Sequence, residues 1–266
     1  NDGRVEIGYG VSPSSRGQGA ATAAVGLFLQ LAFGSGPREV LAEVAPANLA
    51  QLEATIRERA ARILDGLPIG EPFDWVQRVS IELTTQMLAT LFDFPFEDRK
   101  LLTWWSDVAT SVPEVDHLVE SQEARLAELG KMLVYFTRLW NERVNAPPKT
   151  DLVSMLAHNP ATRHMPPLEY MGNLVLLIVG GNDTTRNSMT GGLLALFRHP
   201  DQLALLTKAA AAGDSPLFKT AVDELLRFDT PLPLFMRWVL HDFDFNSVPL
   251  QRGTELALLY AAGNRD

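Results

Sequence analysis

Cysteine is absent from this sequence of 266 residues. The chain alone therefore cannot form disulfides, supply a thiolate nucleophile, hold zinc or an iron–sulfur cluster through cysteine, or ligate a haem iron through a thiolate. Histidine does not supply a metal site in place of cysteine, because the five histidines are scattered without metal-ligand spacing: His117, His158, His164, His199 and His241. We expect no metal site built from the side chains of this chain.

Basic clusters and long apolar runs are also scarce. The formal net charge of −9 and the lack of a basic footprint argue against nucleic acid or an anionic membrane surface as a partner. The strongest apolar run, 174–181, is far shorter than the roughly 20 residues that a membrane-spanning helix needs. No signal peptide precedes the first predicted strand, at 5–11, and the chain begins with Asn1. We expect a cytoplasmic protein, a piece of something longer, that binds small molecules or proteins.

Two kinds of pattern divide the chain near residue 45. Residues 1–44 predict an α/β unit, with a strand at 5–11, a glycine-rich turn, a helix at 20–33 and a strand at 39–44. Residues 45–266 predict a mainly α fold, because apolar residues recur three and four positions apart between prolines and glycines. The predicted helices are 49–64, 75–91, 96–109, 120–144, 168–197, 202–211 and 216–228. Two predicted strands follow, at 238–245 and 255–260.

The amino-terminal turn places Arg16-Gly17-Gln18-Gly19-Ala20-Ala21 between a strand and a helix. Free amides and the positive end of the helix dipole can hold a phosphate there, although a solvent-exposed turn before an ordinary helix has the same pattern. Together with the preceding strand, this segment resembles the acetyl-CoA-binding part of the GNAT-type N-acetyltransferases. The resemblance implies that the cofactor would contact Val11, Arg16, Gln18, Gly19 and Ala21. The family's other strands and its tyrosine acid have no counterpart, so a working acetyltransferase is not expected.

The long predicted helix at 168–197 carries two adjacent glycines, Gly180 and Gly181, followed by Asp183, Thr184 and Thr185. Each glycine costs a helix about 1 kcal/mol relative to alanine, so the pair suggests that something lies flat against the backbone. A threonine hydroxyl can bond to the preceding turn and bend the helix. The alternative is a helix kinked for packing, with Asp183 reaching a nearby arginine.

A second motif, Glu224-Leu225-Leu226-Arg227, places opposite charges one helical turn apart, where they can pair. An ordered series follows it: Thr230-Pro231, Arg237, Gly253 and Ala261-Ala262-Gly263-Asn264-Arg265-Asp266. With the glycine-containing helix, this order resembles the bacterial branch of the cytochromes P-450, over residues 45–266. The segments 73–76 and 81–93 are similar to those of terminal alkane and fatty-acid hydroxylases.

The resemblance implies a haem-thiolate monooxygenase that hydroxylates a small hydrophobic substrate with electrons from a ferredoxin-type partner. Thr184 would hydrogen-bond to the bound dioxygen and Asp183 would relay protons. Gly180, Gly181 and Thr185 would line the haem side.

The same resemblance assigns roles to three charged residues near the end of the chain. Glu224 and Arg227 would form a buried structural ion pair, and Arg237 would pair with a haem propionate. The apolar stretch 232–236 would face the substrate.

One departure from the family matters most. The loop that carries its haem-ligating cysteine follows the segment matched by 261–266, and this chain ends there without a cysteine. We therefore expect a truncated cytochrome P-450 fold that is inactive as it stands. One alternative is an acetyl-CoA-dependent N-acetyltransferase fragment. Because 44–50 fits both resemblances, a non-catalytic chimera of two truncated reading frames is the other.

Overall fold

Helices dominate the computed structural model, which describes residues 46–213 and 215–265. The predicted α/β unit at 1–44 lies outside these ranges. A π-helical turn, Val76–Ile81, leads into α2, and a 3-10 turn, Phe96–Asp98, leads towards α3. The α-helices are α1 Pro46–Asp65, α2 Glu82–Leu91, α3 Lys100–Thr110, α4 Pro113–Asp116, α5 Gln122–Val144, α6 Leu152–His158, α7 Pro167–Arg198, α8 Pro200–Ala212, α9 Ser215–Asp229 and α10 Tyr260–Gly263.

Proline and short polar side chains set the helix ends. Pro167 starts α7, in the first turn where its missing N–H leaves no hydrogen bond unmade. Pro200 disfavours helical geometry at the residue before it, so α7 ends at Arg198. Ser121 caps α5 by accepting a hydrogen bond from the amide of Ala124, at 3.2 Å. These local signals explain why the long helices were predictable.

The chain divides into two units, and residues 54–231 form the larger one. Its core is built on aromatic side chains from α3, α5 and the segment after α2. Phe92 meets Phe136 edge to face with ring centroids 5.3 Å apart, and Phe94 stacks on Tyr135 at 4.7 Å. Such pairs favour one arrangement of rings over others, so they fix how these helices pack. Helix α7 runs beside this core and packs against α2, α3 and α9.

The strands belong to the other unit. Strands β1 (Leu234–Trp238) and β4 (Glu255–Leu259) pair antiparallel, as do β2 (Phe243–Phe245) and β3 (Val248–Leu250). The two residues that join β2 to β3, Asn246 and Ser247, both have positive φ, 48° and 65°. Positive φ at both central positions is what a tight hairpin requires, because that turn matches the twist of the strands.

The predicted elements differ from the observed ones in several places. The prediction of one strand at 238–245 was wrong, because β1 ends at Trp238 and β2 begins at Phe243. Helices α4, α6 and α10 and strand β3 were missed, since elements of seven residues or fewer carry too little periodicity to recognise. The predicted helix at 75–91 begins with the π-helical turn. Among the helices of the described residues, none is long and apolar enough to cross a bilayer.

Candidate functional site

The predicted site residues of the long helix occupy the middle of α7. The helix is continuous from Pro167 to Arg198, so four residues make roughly one turn throughout. Gly180, Thr184 and the preceding Leu176 therefore share one face, whereas Asn182 and Asp183 point towards α2 and α3. The two faces have different surroundings.

One face of α7 is open. Leu176 is 57% exposed, and a β-carbon built on Gly180 would meet nothing within 4 Å. The Thr184 hydroxyl donates to the carbonyl oxygen of Gly180 at 2.8 Å, which confirms the predicted bond to the preceding turn. Thr185 is also exposed. An apolar side chain, a bare stretch of backbone and a hydroxyl thus follow one another along an accessible surface, which we call the open face.

The neighbouring glycine has a different environment. A β-carbon on Gly181 would lie 2.9 Å from Cδ2 of Leu88, a core side chain of α2 that is 2% exposed. The missing side chain at Gly181 lets α7 approach α2 closely. The two glycines therefore have separate structural consequences, one leaving space on the open face and one allowing helix packing.

Alanine substitutions of these adjacent glycines should have opposite effects. Gly180→Ala adds a methyl group in open space and should stabilise the helix by about 0.5–1 kcal/mol. Gly181→Ala gains the same helix propensity but must displace Leu88, and overpacking typically costs about 1–3 kcal/mol. Urea unfolding of both variants measures the difference. A Gly181→Ala protein as stable as Gly180→Ala would contradict the packing role.

Asp183 is held by three hydrogen bonds, all to Oδ1. Ser106 of α3 donates at 3.1 Å, Asn182 at 3.0 Å and Arg186 at 3.0 Å. Arg186 also donates to Asp107 of α3 at 3.0 Å. The alternative suggested by the sequence, a pairing of Asp183 with a nearby arginine, is therefore present, inside a larger polar network.

The network continues to α2 through the side chain of Asn182, which is fully buried. Its amide oxygen accepts a hydrogen bond from Thr84 at 2.9 Å. Since a buried polar group left unpaired costs about 1–3 kcal/mol, Thr84 and Asn182 stabilise each other. The position of Asp183 is thus fixed from both α2 and α3.

Burial, opposed by the charge of Arg186 and the hydrogen bond from Ser106, raises the pKa of Asp183 above its ordinary value of 3.8. Desolvation disfavours the ionised carboxylate, and the nearby charge of Asp107 acts in the same direction. A carboxyl group with a raised pKa gains and loses a proton more readily near neutral pH.

The raised pKa of Asp183 predicts a pH-dependent effect on stability. A carboxyl whose folded pKa lies above its unfolded pKa contributes stability in acid that is lost as pH rises through the folded pKa. Asp183→Asn removes that loss, so the variant should gain stability relative to the wild type between pH 3.8 and neutral pH. Urea unfolding across this range measures the difference.

A control of opposite sign is available at Asp116. Backbone hydrogen bonds from Leu118 and Val112 lower the pKa of Asp116 below 3.8. Its stabilisation is present above that pH and is lost in acid, so Asp116→Asn should be destabilising at neutral pH and converge with the wild type in acid. If the stabilities of the two variants, each relative to the wild type, changed with pH in the same direction, the assigned environment of Asp183 would be wrong.

The second predicted motif forms an ion pair on α9. Arg227 donates to Glu224 through Nε at 2.7 Å and through a terminal nitrogen at 2.6 Å, so the predicted pairing is confirmed. The side chains are 34% and 52% exposed, so the pair is not in the buried setting that the resemblance implied. On the same helix, Leu225 packs against Gly192 of α7. Such bidentate geometry fixes the side chains of one helical turn.

Arg237 belongs to the unit that contains the strands. It lies on β1 opposite Leu256, its guanidinium stacks over the ring of Phe235 at 4.1 Å, and it donates to the carbonyl oxygen of Met236 at 2.9 Å. Leu234, Phe235 and Met236, in the stretch predicted to face the substrate, are exposed.

One set of predicted residues cannot be placed in this way. Those assigned to acetyl-CoA lie outside the described residues: Val11, Arg16, Gln18, Gly19 and Ala21. Within residues 46–213 and 215–265, no three or more acidic or histidine side chains come together as metal ligands would.

Sequence reasoning missed Ser106, Asp107 and Arg186. Arg186 lies three residues after Asp183, a spacing that puts two side chains on one helix face, so it was recognisable. Ser106 lies 77 positions from Asp183, and Asp107 lies 79 positions from Arg186. No local sequence pattern predicts contacts over such distances along the chain.

Comparisons with known proteins identify several relatives, although no protein-family model matches the chain. The steroid C26-monooxygenase of Rhodococcus jostii is 30% identical over 221 residues, which are 83% of this chain and 45% of that enzyme. The vitamin D(3) 25-hydroxylase of Pseudonocardia autotrophica is 32% identical over 218 residues, 81% of this chain and 51% of that enzyme.

The fold is shared with solved structures. Cytochrome P-450-153 from Novosphingobium aromaticivorans is 46% identical, with a TM-score of 0.73 over 84% of this chain and 52% of that one. The chain therefore spans about half the length of the relatives that it matches.

Proposed function

We propose that the chain belongs to the cytochrome P-450 monooxygenases and that the open face of α7 lies against their haem. Curated relatives and solved structures support the family. The observation that carries the site assignment is the contrast along α7, where an accessible surface at Gly180 and Thr184 adjoins a carboxylate fixed by three hydrogen bonds.

The residues present fit one side of a haem. Leu176 supplies exposed apolar surface and Gly180 supplies bare backbone, and both suit contact with a flat macrocycle. Gly181 and Thr185 adjoin this surface on α7. With no cysteine, these residues supply no thiolate for the haem iron. Arg237 belongs to the other unit, and its role as a partner of a haem propionate rests only on the match between guanidinium and carboxylate geometry.

The chemistry that the haem would supply when bound is activation of dioxygen and insertion of one oxygen atom into a C–H bond. Asp183 carries protons to that reaction. Because Ser106, Asn182 and Arg186 already donate to Oδ1, the transferable proton belongs on Oδ2. The raised pKa makes this carboxyl easier to protonate from solvent.

Thr184 would give its own hydroxyl proton at the open face and take a proton from the side of Asp183 in exchange. Its hydroxyl donates to Gly180 in this conformation and keeps lone pairs as acceptors. Rotation of the side chain would turn the hydroxyl proton away from Gly180 and towards the open face, while the helix carbonyl keeps its own backbone hydrogen bond. The Glu224–Arg227 pair has a structural role on α9.

The substrate is a small hydrophobic molecule, and the segments 73–76 and 81–93 favour an alkane or fatty acid. Electrons come from a separate donor, and a ferredoxin-type protein is the expected one. The names of the relatives refer to a steroid and a vitamin, so they support hydroxylation of apolar molecules generally.

A graft tests this function. Residues 46–265 would replace the matched segment of cytochrome P-450-153 from Novosphingobium aromaticivorans, which supplies the cysteine; we call the product the grafted cytochrome. With a ferredoxin, its reductase and a medium-chain fatty acid, it should yield a hydroxylated product that mass spectrometry identifies. A folded, haem-loaded graft that receives electrons and oxidises neither fatty acids nor alkanes would contradict the proposed substrate class.

A further inference from the structure

A cavity of about 680 Å³ opens between α1, α2 and the π-helical turn, away from the open face of α7. Four arginines line it, Arg59 and Arg62 from α1, Arg78 from the π-helical turn and Arg99 from the segment before α3. The carboxylate in its wall is Glu82. In a chain with a net charge of −9, this concentration of positive charge in one concave site is unusual.

Two of the four positive charges have a carboxylate partner. Arg99 donates to Glu82 at 3.1 Å, and Arg62 lies 3.4 Å from Glu58. Arg59 donates instead to the main-chain oxygen of Gln86. Arg78 donates to the main-chain oxygen of Gly66, at 3.4 Å. Glu58 also attracts Arg59, so among the described residues the four guanidinium groups meet two carboxylates, Glu58 and Glu82, and two positive charges stay unbalanced.

A buried donor at the cavity also lacks a partner. The Nε atom of Arg99 is buried and makes no hydrogen bond within the described part of the chain. Burial and the nearby charge of Arg62 lower the pKa of Arg59, which is the effect expected where positive charge accumulates. Both features favour the approach of an anion.

The remaining wall is apolar. Ile63, Leu67 and Phe96 line the cavity together with the arginines, and Phe96 is 46% exposed. The guanidinium of Arg99 lies 4.3 Å from the centre of the Phe96 ring. An occupant that satisfied the whole site would thus be an anion with an attached hydrophobic group.

We infer that this cavity binds a phosphate monoester, with its phosphoryl group on the arginines and its organic part against Phe96. A phosphate monoester carries about −1.5 to −2 charges at neutral pH, which matches the two unbalanced guanidinium charges. Guanidinium groups bind phosphoryl oxygens in pairs of parallel hydrogen bonds. The cavity is also large enough for an aromatic ring beside the phosphoryl group.

Calorimetric titration of the whole chain with phenyl phosphate and with inorganic phosphate tests the site. Phenyl phosphate should bind more tightly, because its ring reaches the apolar wall. Arg62→Gln and Arg78→Gln should each weaken phenyl phosphate binding by about tenfold, as expected for loss of one charge-assisted hydrogen bond. Both side chains are exposed, so the fold should persist, and circular dichroism checks this.

Arg138→Gln is the matched control. Arg138 is 59% exposed and lies four residues from its acidic neighbour Glu142, as Arg62, 67% exposed, lies four residues from Glu58. Its loss should leave phenyl phosphate affinity unchanged. Absence of binding at millimolar ligand, equal affinity for both phosphates, or an equal effect of Arg138→Gln and Arg62→Gln would each overturn the inference.

Discussion

Asp183→Asn in the grafted cytochrome should lower the rate of product formation by about 100- to 10,000-fold, the range that positioned proton transfer usually contributes. Asparagine can occupy the same space and accept the hydrogen bonds from Ser106 and Arg186, but it cannot carry a proton. Haem content and substrate binding should therefore stay the same. Rates of product formation in light and heavy water measure the effect, and the solvent isotope effect should increase in the variant.

A neighbouring substitution separates proton transfer from the structure of the network. Asp107→Asn removes the charge that Arg186 contacts at 3.0 Å and leaves the carboxyl of Asp183 intact. The rate of product formation should fall much less in Asp107→Asn, because the proton carrier, Asp183, remains. If Asp107→Asn and Asp183→Asn were equally slow, with the same isotope effect, Asp183 would be a structural residue.

Thr184→Ala in the same protein should separate oxygen consumption from product formation. The alanine removes the hydroxyl from the open face and leaves Gly180 and the helix backbone unchanged. The variant should still consume electrons. The amount of hydroxylated product formed per dioxygen consumed should fall by at least about tenfold, which corresponds to a change of about 1.4 kcal/mol in the difference between the barriers to product and to peroxide. An oxygen electrode, a peroxide assay and product analysis together measure this ratio.

Thr184→Ser is the control for that variant. Serine keeps the hydroxyl that donates to Gly180 and removes one methyl group. It should restore most of the product yield. If the Thr184→Ser protein gave no higher product yield than Thr184→Ala, the loss of yield would be due to packing of the methyl group and not to the hydroxyl.

The sequence predicts α7 well, because the signals for a long helix are local. Its predicted range, 168–197, differs from Pro167–Arg198 by one residue at each end, since apolar periodicity and flanking prolines act within a few positions. The pairing of Glu224 with Arg227 was predictable for the same reason, from a separation of three residues on one helix.

What could not be predicted depends on contacts between distant segments. The sequence shows two equivalent glycines at 180 and 181, and only the approach of Leu88 distinguishes them. The hydrogen bond from Ser106 to Asp183 joins residues 77 positions apart. The exposure of the Glu224–Arg227 side chains likewise cannot be deduced from their spacing in the sequence.

The most direct measurement of whether α7 faces a haem is the carbon monoxide difference spectrum of the reduced grafted cytochrome. The described residues should complete the pocket, so the graft should take up one haem and give the long-wavelength band of thiolate-ligated iron, at the position seen in the unmodified host. A graft that folds by circular dichroism, yet takes up no haem or lacks that band, would contradict the placement of Gly180 and Thr184 beside the porphyrin.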